Sequence, residues 1–592
     1  MIKPKVASLL LLALLAPGLR AEGPNIVILL ADDAGLMDFG AYGGEASTPN
    51  IDALAQRGAR FTQFRASPQC APSRAMLLTG MDNHRAGLGA IPEVLPASHE
   101  GKPGYTMHLE EGVETLAVRL KREGYRTYMT GKWHLGHGAG DLPNDHGFDR
   151  SFVLDASGAD NWDDQSYMPL YDEAPWFEDG EPTDLPEEFY SSEFLVDRMI
   201  DYLGDAPEAD GPFLAYVAFQ AIHIPLQAPR EFIERYDGVY DAGWSELRAQ
   251  RHGRAASLGL IPEGAPLAAM HASLRDWDAL DEEARARAIR AMEVNAGMLE
   301  AMDFHIGRLL DHLRATGVLE NTIIVVTSDN GPEGGQLLTG SAGQQAFMRL
   351  WLRTHGYPET DIDAMGGPGS SVAIGPEWAS AAASPSDLFK FHGADGALRV
   401  PLILAGPGVP AGERVDALSI MSDVMPTLLD LVGADAPAPD ARPMTGRSLL
   451  PVLEEQASAI YGDEDLVGIE VAGNVGLYRG RYKLTRSLPP LGDGRWRVFD
   501  VALDPGETRD LAVERPELLA DMLADYEAWS REMGVIEMPE GYAPVKEIGR
   551  KLGPILLQRY WPWLLAAFAA FLLGFWGCGL LVRTGWRSLR AG

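Results

Sequence analysis

Apolar positions along the chain follow two periods, and their alternation outlines a fold. In "PNIVILLADDAG" the run Ile26 to Leu30 is wholly apolar and stops at Asp32 and Asp33. "ENTIIVVTSDNG" repeats this, with Ile323 to Val326 followed by Asp329, Asn330 and Gly331. Short β-branched runs bounded by polar turn residues predict buried strands. "PFLAYVAFQAIHIP" predicts another strand. Helical spacing appears in "NIDALAQRGARF", in "VETLAVRLKREGYRTYMTG" (a helix running into a short strand) and in the long "EARARAIRAMEVNAGMLEAMDFHIGRLLDHLRATG". Strands alternating with helices predict an α/β fold with a large, mostly parallel sheet flanked by helices on both faces. In such sheets, sites form beyond the carboxyl ends of the strands. Both acidic clusters fall there, as do Lys132, His134 and His223.

The character changes after "LRVPLILAGPGVPAGERV". Ser422 to Val432 reads as a helix, and "GLYRGRYKLTR" and "RWRVFDVALDPGETRDLA" as short strands joined by turns. These divide the body into a large α/β domain, 22–415, and a smaller C-terminal α+β subdomain, 416–540. The Gly- and Ser-rich stretch 331–384 is long for a connection and reads as a substrate-facing insertion. Residues 1–21 read as a signal peptide: Lys3 and Lys5 precede the apolar Ser8–Ala16, and Ala21 is a cleavage position. An uncleaved anchor is the alternative. After a linker at 541–560, residues 561–582 are uncharged and long enough to cross a bilayer, with Trp561, Trp563 and Trp586 suited to its interfaces. A buried core helix is the other reading. The expectation is a C-terminal transmembrane helix with a cytoplasmic tail at 583–592. It would hold an exported body on the periplasmic side of the inner membrane.

Composition sharpens this. The 592 residues carry a net charge of −34, which argues against nucleic acid as a partner, since phosphate binding needs a basic face. A local cluster of cations could still accept a small anion. Of the two cysteines, Cys578 lies in the apolar tail, so Cys70 has no partner in the soluble body. An interchain bond or a chemical role remains for it.

Asp32, Asp33, Asp329 and Asn330 offer only oxygen ligands, which suit Ca2+ or Mg2+ better than Zn2+. Either motif alone reads as a helix cap or an Asx turn. Two of them after separate strands point to a metal site. Lys132 and His134 alternate, so on an extended segment they point the same way. With His223 they would form a cationic, proton-donating wall for an oxyanion and a leaving-group oxygen. Singly, each reads as an ordinary surface or hydrogen-bonded residue. Cys70 is either a buried structural thiol or a nucleophile. Arg74, one turn on, would depress its pKa if a helix begins at Pro72.

"CAPSR" followed by "AMLLTG" resembles the first signature of the type I sulfatases, and "GYRTYMTGKWHLG" resembles the second. "LLADDAG", "VTSDNG" and "WASAAASPSDLFKFHGADGALRVPLIL" are similar to further blocks of that family. The resemblance runs from about residue 24 to 515 and is closest to bacterial arylsulfatases, in the alkaline phosphatase superfamily. It implies an alkaline phosphatase-like sheet and hydrolysis of a small-molecule or carbohydrate sulfate ester. It also implies a formylglycine-generating or sulfatase-maturing enzyme that converts Cys70 to Cα-formylglycine. Asp32, Asp33, Asp329 and Asn330 would hold Ca2+, with Mg2+ as the other candidate. The hydrated aldehyde would attack sulfur, held by the metal and Arg74. Lys132, Lys390 and His223 would bind sulfate oxygens, with His223 donating a proton to the departing oxygen. His134 would take the proton that allows sulfate release. The chain departs from the family at Asp395, Gly396 and Ala397, where many members have Glu-Gly-Gly, and at Gln69, where small or apolar residues are commoner. A phosphonate monoester or phosphodiester hydrolase, or an inactive binding protein, would share much of this pattern.

Overall fold

The computed structural model describes residues 23–171, 173–205, 211–335, 342–358, 360–434, 437–562, 565 and 569–570. The two apolar runs that end in acidic residues are neighbouring strands. β1 (Asn25–Ala31) pairs in parallel with β9 (Thr322–Ser328), Ile26 beside Ile323 and Ala31 beside Ser328. On its other side β1 pairs in parallel with β8 (Phe213–Ala218), which in turn pairs in parallel with β4 (Arg126–Lys132). Every residue of β1, β8 and β9 is buried, as expected for parallel strands covered on both faces. Alternate side chains feed two cores. Val27, Leu29, Ile324 and Val326 join one that includes Met292, Met298 and Ile306 of the long helix Glu282–Ala315. Ile26, Ile28, Ile323 and Val325 join the other, with Ala71, Ala75 and Leu78 of the helix Cys70–Thr79.

The sheet is mixed rather than mostly parallel. β2 (Gly58–Phe61), β5 (Arg150–Leu154), β6 (Trp176–Glu178), β7 (Glu181–Pro182), β10 (Leu402–Ala405) and β11 (Glu413–Val415) complete it, in the order β11-β2-β10-β9-β1-β8-β4-β5-β6-β7. β10 runs antiparallel to both β2 and β9, and β6 and β7 extend the opposite edge as antiparallel strands. The reason for β10 is local. The chain leaves β9 at its carboxyl end and re-enters at Leu402 beside Thr327, so no crossover is made. β3 (Phe64–Arg65) and β12 (Ser419–Ile420) form a separate pair. Residues 58–61, taken from sequence as part of a helix, are strand β2; the helix ends at Arg57.

The C-terminal transmembrane helix expected over 561–582 is not supported. Among the described residues no helix is long and apolar enough to cross a membrane. The described helical stretch 544–562 carries Lys546, Glu547, Arg550, Lys551 and Arg559. Residues 563, 564, 566–568 and 571–592 lie outside the described residues, as does the whole expected signal peptide. Membrane anchoring on the periplasmic side is withdrawn with the helix.

Toward the C-terminus, β13 (Leu466–Val471), β14 (Asn474–Arg479), β15 (Tyr482–Arg486) and β16 (Arg497–Asp500) form an antiparallel sheet. The helix Pro516–Met533 covers it, packing Leu518, Met522 and Trp529 against Leu477, Leu484 and Val498. Gly468 permits this approach, since a Cβ there would lie 2.2 Å from the Trp529 ring. A buried charge cluster ties this sheet to β3 and to the segment that leads into β10. Asp395 Oδ2 accepts from Arg65 Nη2 at 2.8 Å, and its Oδ1 from Lys483 Nζ at 2.7 Å and from Tyr478. Lys483 also meets Glu507. Burial opposes ionisation of Asp395, but Arg65 and Lys483 hold its carboxyl well below the usual range. Removing one partner of such a cluster strands the others in a dry interior. Asp395→Ala should therefore destabilise the protein by about 3 kcal/mol, read as a lower denaturation midpoint; an unchanged midpoint would contradict this account.

Candidate active site

The register of β1 and β9 sets the acidic residues abreast. Just past the strand ends, Asp329 N donates to Ala31 O at 3.2 Å, and Asp33 N donates to Asp329 Oδ1 at 3.2 Å. Asp33 has a φ of 67°, a left-handed conformation that turns the chain sharply after the strand. Ser328 Oγ accepts from Ala34 N at 2.9 Å and pins the same turn.

The helix Cys70–Thr79 brings residue 70 to this point as its first residue. Cys70 Sγ lies 3.5 Å from Asp32 Oδ1 and 4.0 Å from Asp33 Oδ1. Burial pushes the thiol well above its ordinary pKa, with Asp329 adding to the push against Lys132 and Lys390. The depression expected from Arg74 is outweighed by burial. Arg74 is engaged elsewhere: Nε and Nη2 meet Asp329 Oδ2 at 2.9 and 2.8 Å, Nη2 meets Asp32 Oδ2 at 3.2 Å, and Nη1 donates to Lys132 O at 2.7 Å. A thiol held protonated beside carboxylates is a poor nucleophile. Gln69 is a tie within the loop, its Oε1 accepting from Ile91 N at 3.2 Å.

Two lysines reach the carboxylates. Lys132 Nζ, at the end of β4, is 2.6 Å from Asp32 Oδ2. Lys390 Nζ is 2.7 Å from Asp33 Oδ1 and 3.0 Å from Glu333 Oε2. Its loop is laced down by Lys390 N to Pro332 O at 3.1 Å and Phe391 N to Pro68 O at 3.0 Å. Neighbouring aspartates are driven apart as a result. Asp32 is burdened by burial but held low by Lys132, Arg74 and Lys390. Asp33 is pushed up by burial and by Asp32, Glu333 and Asp329, against the pull of Lys390.

His223 Nδ1 meets Ile224 O at 2.7 Å, which makes Nδ1 the protonated nitrogen of the neutral ring. Its Nε2 lies 3.8 Å from Asp33 Oδ2. Burial, with Lys132 and Lys390, keeps this imidazole well below its ordinary pKa. His134 does not continue the alternation of β4. The strand ends at Lys132, and His134 has a φ of 61°. Its ring is buried and lowered in pKa by that burial, and Nε2 lies 3.9 Å from Glu93 Oε2. Glu93 and Glu333 were missed from sequence. Glu333 follows Asn330 by three residues, a signal that was available; Glu93, in "AIPEVLP", has no spacing that marks it.

All ten residues singled out from sequence are thus buried in one region: Asp32, Asp33, Cys70, Arg74, Lys132, His134, His223, Asp329, Asn330 and Lys390. Ligand atoms of Asp32, Asp33, Cys70 and Asp329 lie within 4.8 Å of one another. Among the described residues, Asp33 Oδ2 and Asn330 Oδ1 are buried oxygens without a hydrogen-bond partner. An oxygen-seeking cation would satisfy both. Four carboxylates, counting Glu333, face three fixed cations, so a divalent ion would turn a negative site into one that attracts an anion. Asp33, Glu333 and His223 form a second potential ligand group, but the Lys390 ammonium already sits between the two carboxylates.

A family model described as Sulfatase matches residues 24–434. An uncharacterized sulfatase of Schizosaccharomyces pombe is 34% identical over 549 residues, 88% of this chain and 96% of that protein. The arylsulfatase of Klebsiella aerogenes is 35% identical over 454 residues, 76% of this chain and 94% of that one. The crystal structure of Ps i-CgsB in complex with k-i-k-neocarrahexaose shares the fold with a TM-score of 0.61 at 22% identity, over 91% of this chain and 98% of that one. A structure in complex with its substrate D-glucosamine-2-N,6-O-disulfate aligns with a TM-score of 0.57 at 20% identity, over 86% and 98%. By the extent of the family match and the likeness of these relatives, the chain belongs to the type I sulfatases and is a sulfatase enzyme.

Proposed function

We propose that this sulfatase cleaves a sulfate monoester of a phenol or carbohydrate through residue 70 in its Cα-formylglycine form, beside a Ca2+ held by Asp32, Asp33, Asp329 and Asn330. The observation that carries this reading is the approach of Cys70 Sγ to 3.5 Å from Asp32 and 4.0 Å from Asp33, inside a carboxylate cluster with two unpartnered oxygens. The residues fit both groups: the ligand set is all oxygen, and the thiol is buried and kept protonated. When present, the hydrated aldehyde supplies an oxygen nucleophile toward sulfur, and the cation makes that oxygen easier to ionise.

The rest falls to the chain itself. Arg74, locked to Asp32 and Asp329, keeps the helix that carries residue 70 against the cluster. Lys132 and Lys390 bind sulfate oxygens and offset the charge that grows on them. His223 donates to the departing oxygen from Nε2. Its Nδ1 proton is committed to Ile224 O, so Nε2 must first be protonated. An anionic ester beside it raises its pKa and favours that proton. His134 accepts at Nδ1 the hydroxyl proton of residue 70 whose loss allows sulfate release, and passes it to water. The arylsulfatase relative supports an aryl ester, and the disulfated glucosamine bound to a fold neighbour supports a sugar ester. A maturing enzyme is implied as a partner, because the residue at 70 is encoded as cysteine.

Four experiments test this. Protein shown by mass spectrometry to carry the aldehyde at 70 should hydrolyse an aryl sulfate faster than an aryl phosphonate. Cys70→Ala should fold normally and lose turnover; hydrolysis by that variant, or preference for the phosphonate, would contradict the reading. Asp329→Ala should lose bound Ca2+ by metal analysis. In the wild type, Ca2+ affinity should weaken as pH falls, because protons compete for the elevated carboxyl of Asp33. Retained metal or a pH-independent affinity would count against the assigned ligands.

A further inference from the structure

Glu93 is a buried carboxylate outside both the acidic cluster and the lysines that face it. It sits in a one-turn 3-10 helix, Pro92–Val94, and is 4% exposed. Its Oε1 accepts a hydrogen bond from Tyr171 OH at 2.7 Å. Its Oε2 has no hydrogen-bond partner among the described residues and faces His134 Nε2 at 3.9 Å. Among the described residues neither ring nitrogen of His134 has a hydrogen-bond partner either. A structural pair elsewhere in the chain looks different: His84 Nε2 closes to 2.7 Å on Glu470, and its Nδ1 to 3.1 Å on Asp82. Buried polar atoms are normally satisfied, and those that are not mark places where a group must stay free to exchange protons or partners.

The turn that carries Glu93 is fixed on two sides. From within, Gln69, the residue before Cys70, accepts from Ile91 N. From outside, Tyr542 OH donates to Val94 O at 3.0 Å, Arg550 Nη2 to Leu95 O at 3.3 Å, and Lys551 to Pro92 O. The carboxylate is therefore held facing the ring. The left-handed backbone of His134 aims that ring out of the strand direction, toward it.

We propose that Glu93 is a positioning residue for proton transfer by His134. Its carboxylate faces the Nε2–H as acceptor, fixes the tautomer with Nδ1 unprotonated, and balances the imidazolium formed when Nδ1 takes the hydroxyl proton of residue 70 whose loss allows sulfate release. That proton then leaves to water and restores the starting state. The logic is that of a buried acid orienting a general base. It rests on the reading of His134 as the proton acceptor. The surrounding charges show why an acid is needed: burial, Lys132 and Arg74 all disfavour a charged ring at 134, and Glu93 opposes them. The carboxyl of Glu93 is lowered from its ordinary range, His134 and Tyr171 outweighing its burial. Around it stand His137, paired at 3.0 Å with Asp155, then Tyr167 and Lys551.

The test pairs kinetics with a direct titration. In matured enzyme, Glu93→Gln should lower kcat by about 10- to 100-fold while KM changes less, and Tyr171→Phe should produce a smaller loss. In unmatured Cys70→Ala protein, NMR of the histidine rings should show His134 titrating at lower pH in the Glu93→Gln background, by about one unit. Unchanged kcat in Glu93→Gln would overturn the proposal. A loss of kcat with the His134 titration unmoved would also overturn it, by making Glu93 a packing residue. His134→Ala with wild-type turnover would remove the base and the proposal together. Should matured wild type hydrolyse no sulfate ester, the reading of the site fails, while the NMR comparison still decides whether Glu93 governs His134.

Discussion

Three aspartates crowd the ends of two paired strands, and the site is organised by what cancels their repulsion. Asp32, Asp33 and Asp329 are brought together because β1 and β9 run in parallel with Ala31 beside Ser328. All are buried, so their charges are weakly screened and an uncompensated one is costly. Arg74 bridges Asp32 and Asp329, Lys132 neutralises Asp32, and Lys390 neutralises Asp33. The position of residue 70 follows from this. It lies one helical turn before Arg74, so locking the guanidinium to both strand ends places the first residue of the helix against the cluster.

The same constraint reaches outward. Lys390 must come from a loop held in place, and that loop leads into Asp395, which the C-terminal sheet grips through Tyr478 and Lys483. The smaller sheet thus contributes to the site without supplying a reacting group. The stretch 536–551 acts similarly on the other side. Ile536 O accepts from Tyr105 OH at 3.2 Å, and Arg550 and Lys551 hold the turn that carries Glu93.

Much of this could be read from residue order. β1, β8, β9 and the long helix Glu282–Ala315 have uniform apolar runs or strong helical spacing, so local pattern and tertiary burial agree. The ten residues that gather here stood out in the sequence because each sits just past a strand, at a helix start, or in a motif of recognisable form. What escaped depended on partners far away in sequence. The direction of β10 is set by where the chain re-enters the sheet at Leu402, which no local signal carries. His134 was placed by strand alternation, yet its left-handed backbone breaks that rule. Glu93 matters only because its turn packs beside His134. The apolar run at 561–582 matched a membrane span by length and composition alone; among the described residues no helix is long and apolar enough to cross a membrane, and the one described over 544–562 carries five charged residues.

The central claim is that one divalent cation sits among Asp32, Asp33, Asp329 and Asn330, in contact with the side chain of residue 70. Anomalous scattering from a crystal of matured, Ca2+-loaded enzyme locates that ion directly. The account predicts a single strong peak within coordination distance, about 2.3–2.6 Å, of oxygens from those four residues. A peak among Asp33, Glu333 and His223 instead, or none in the cluster at saturating Ca2+, would contradict it.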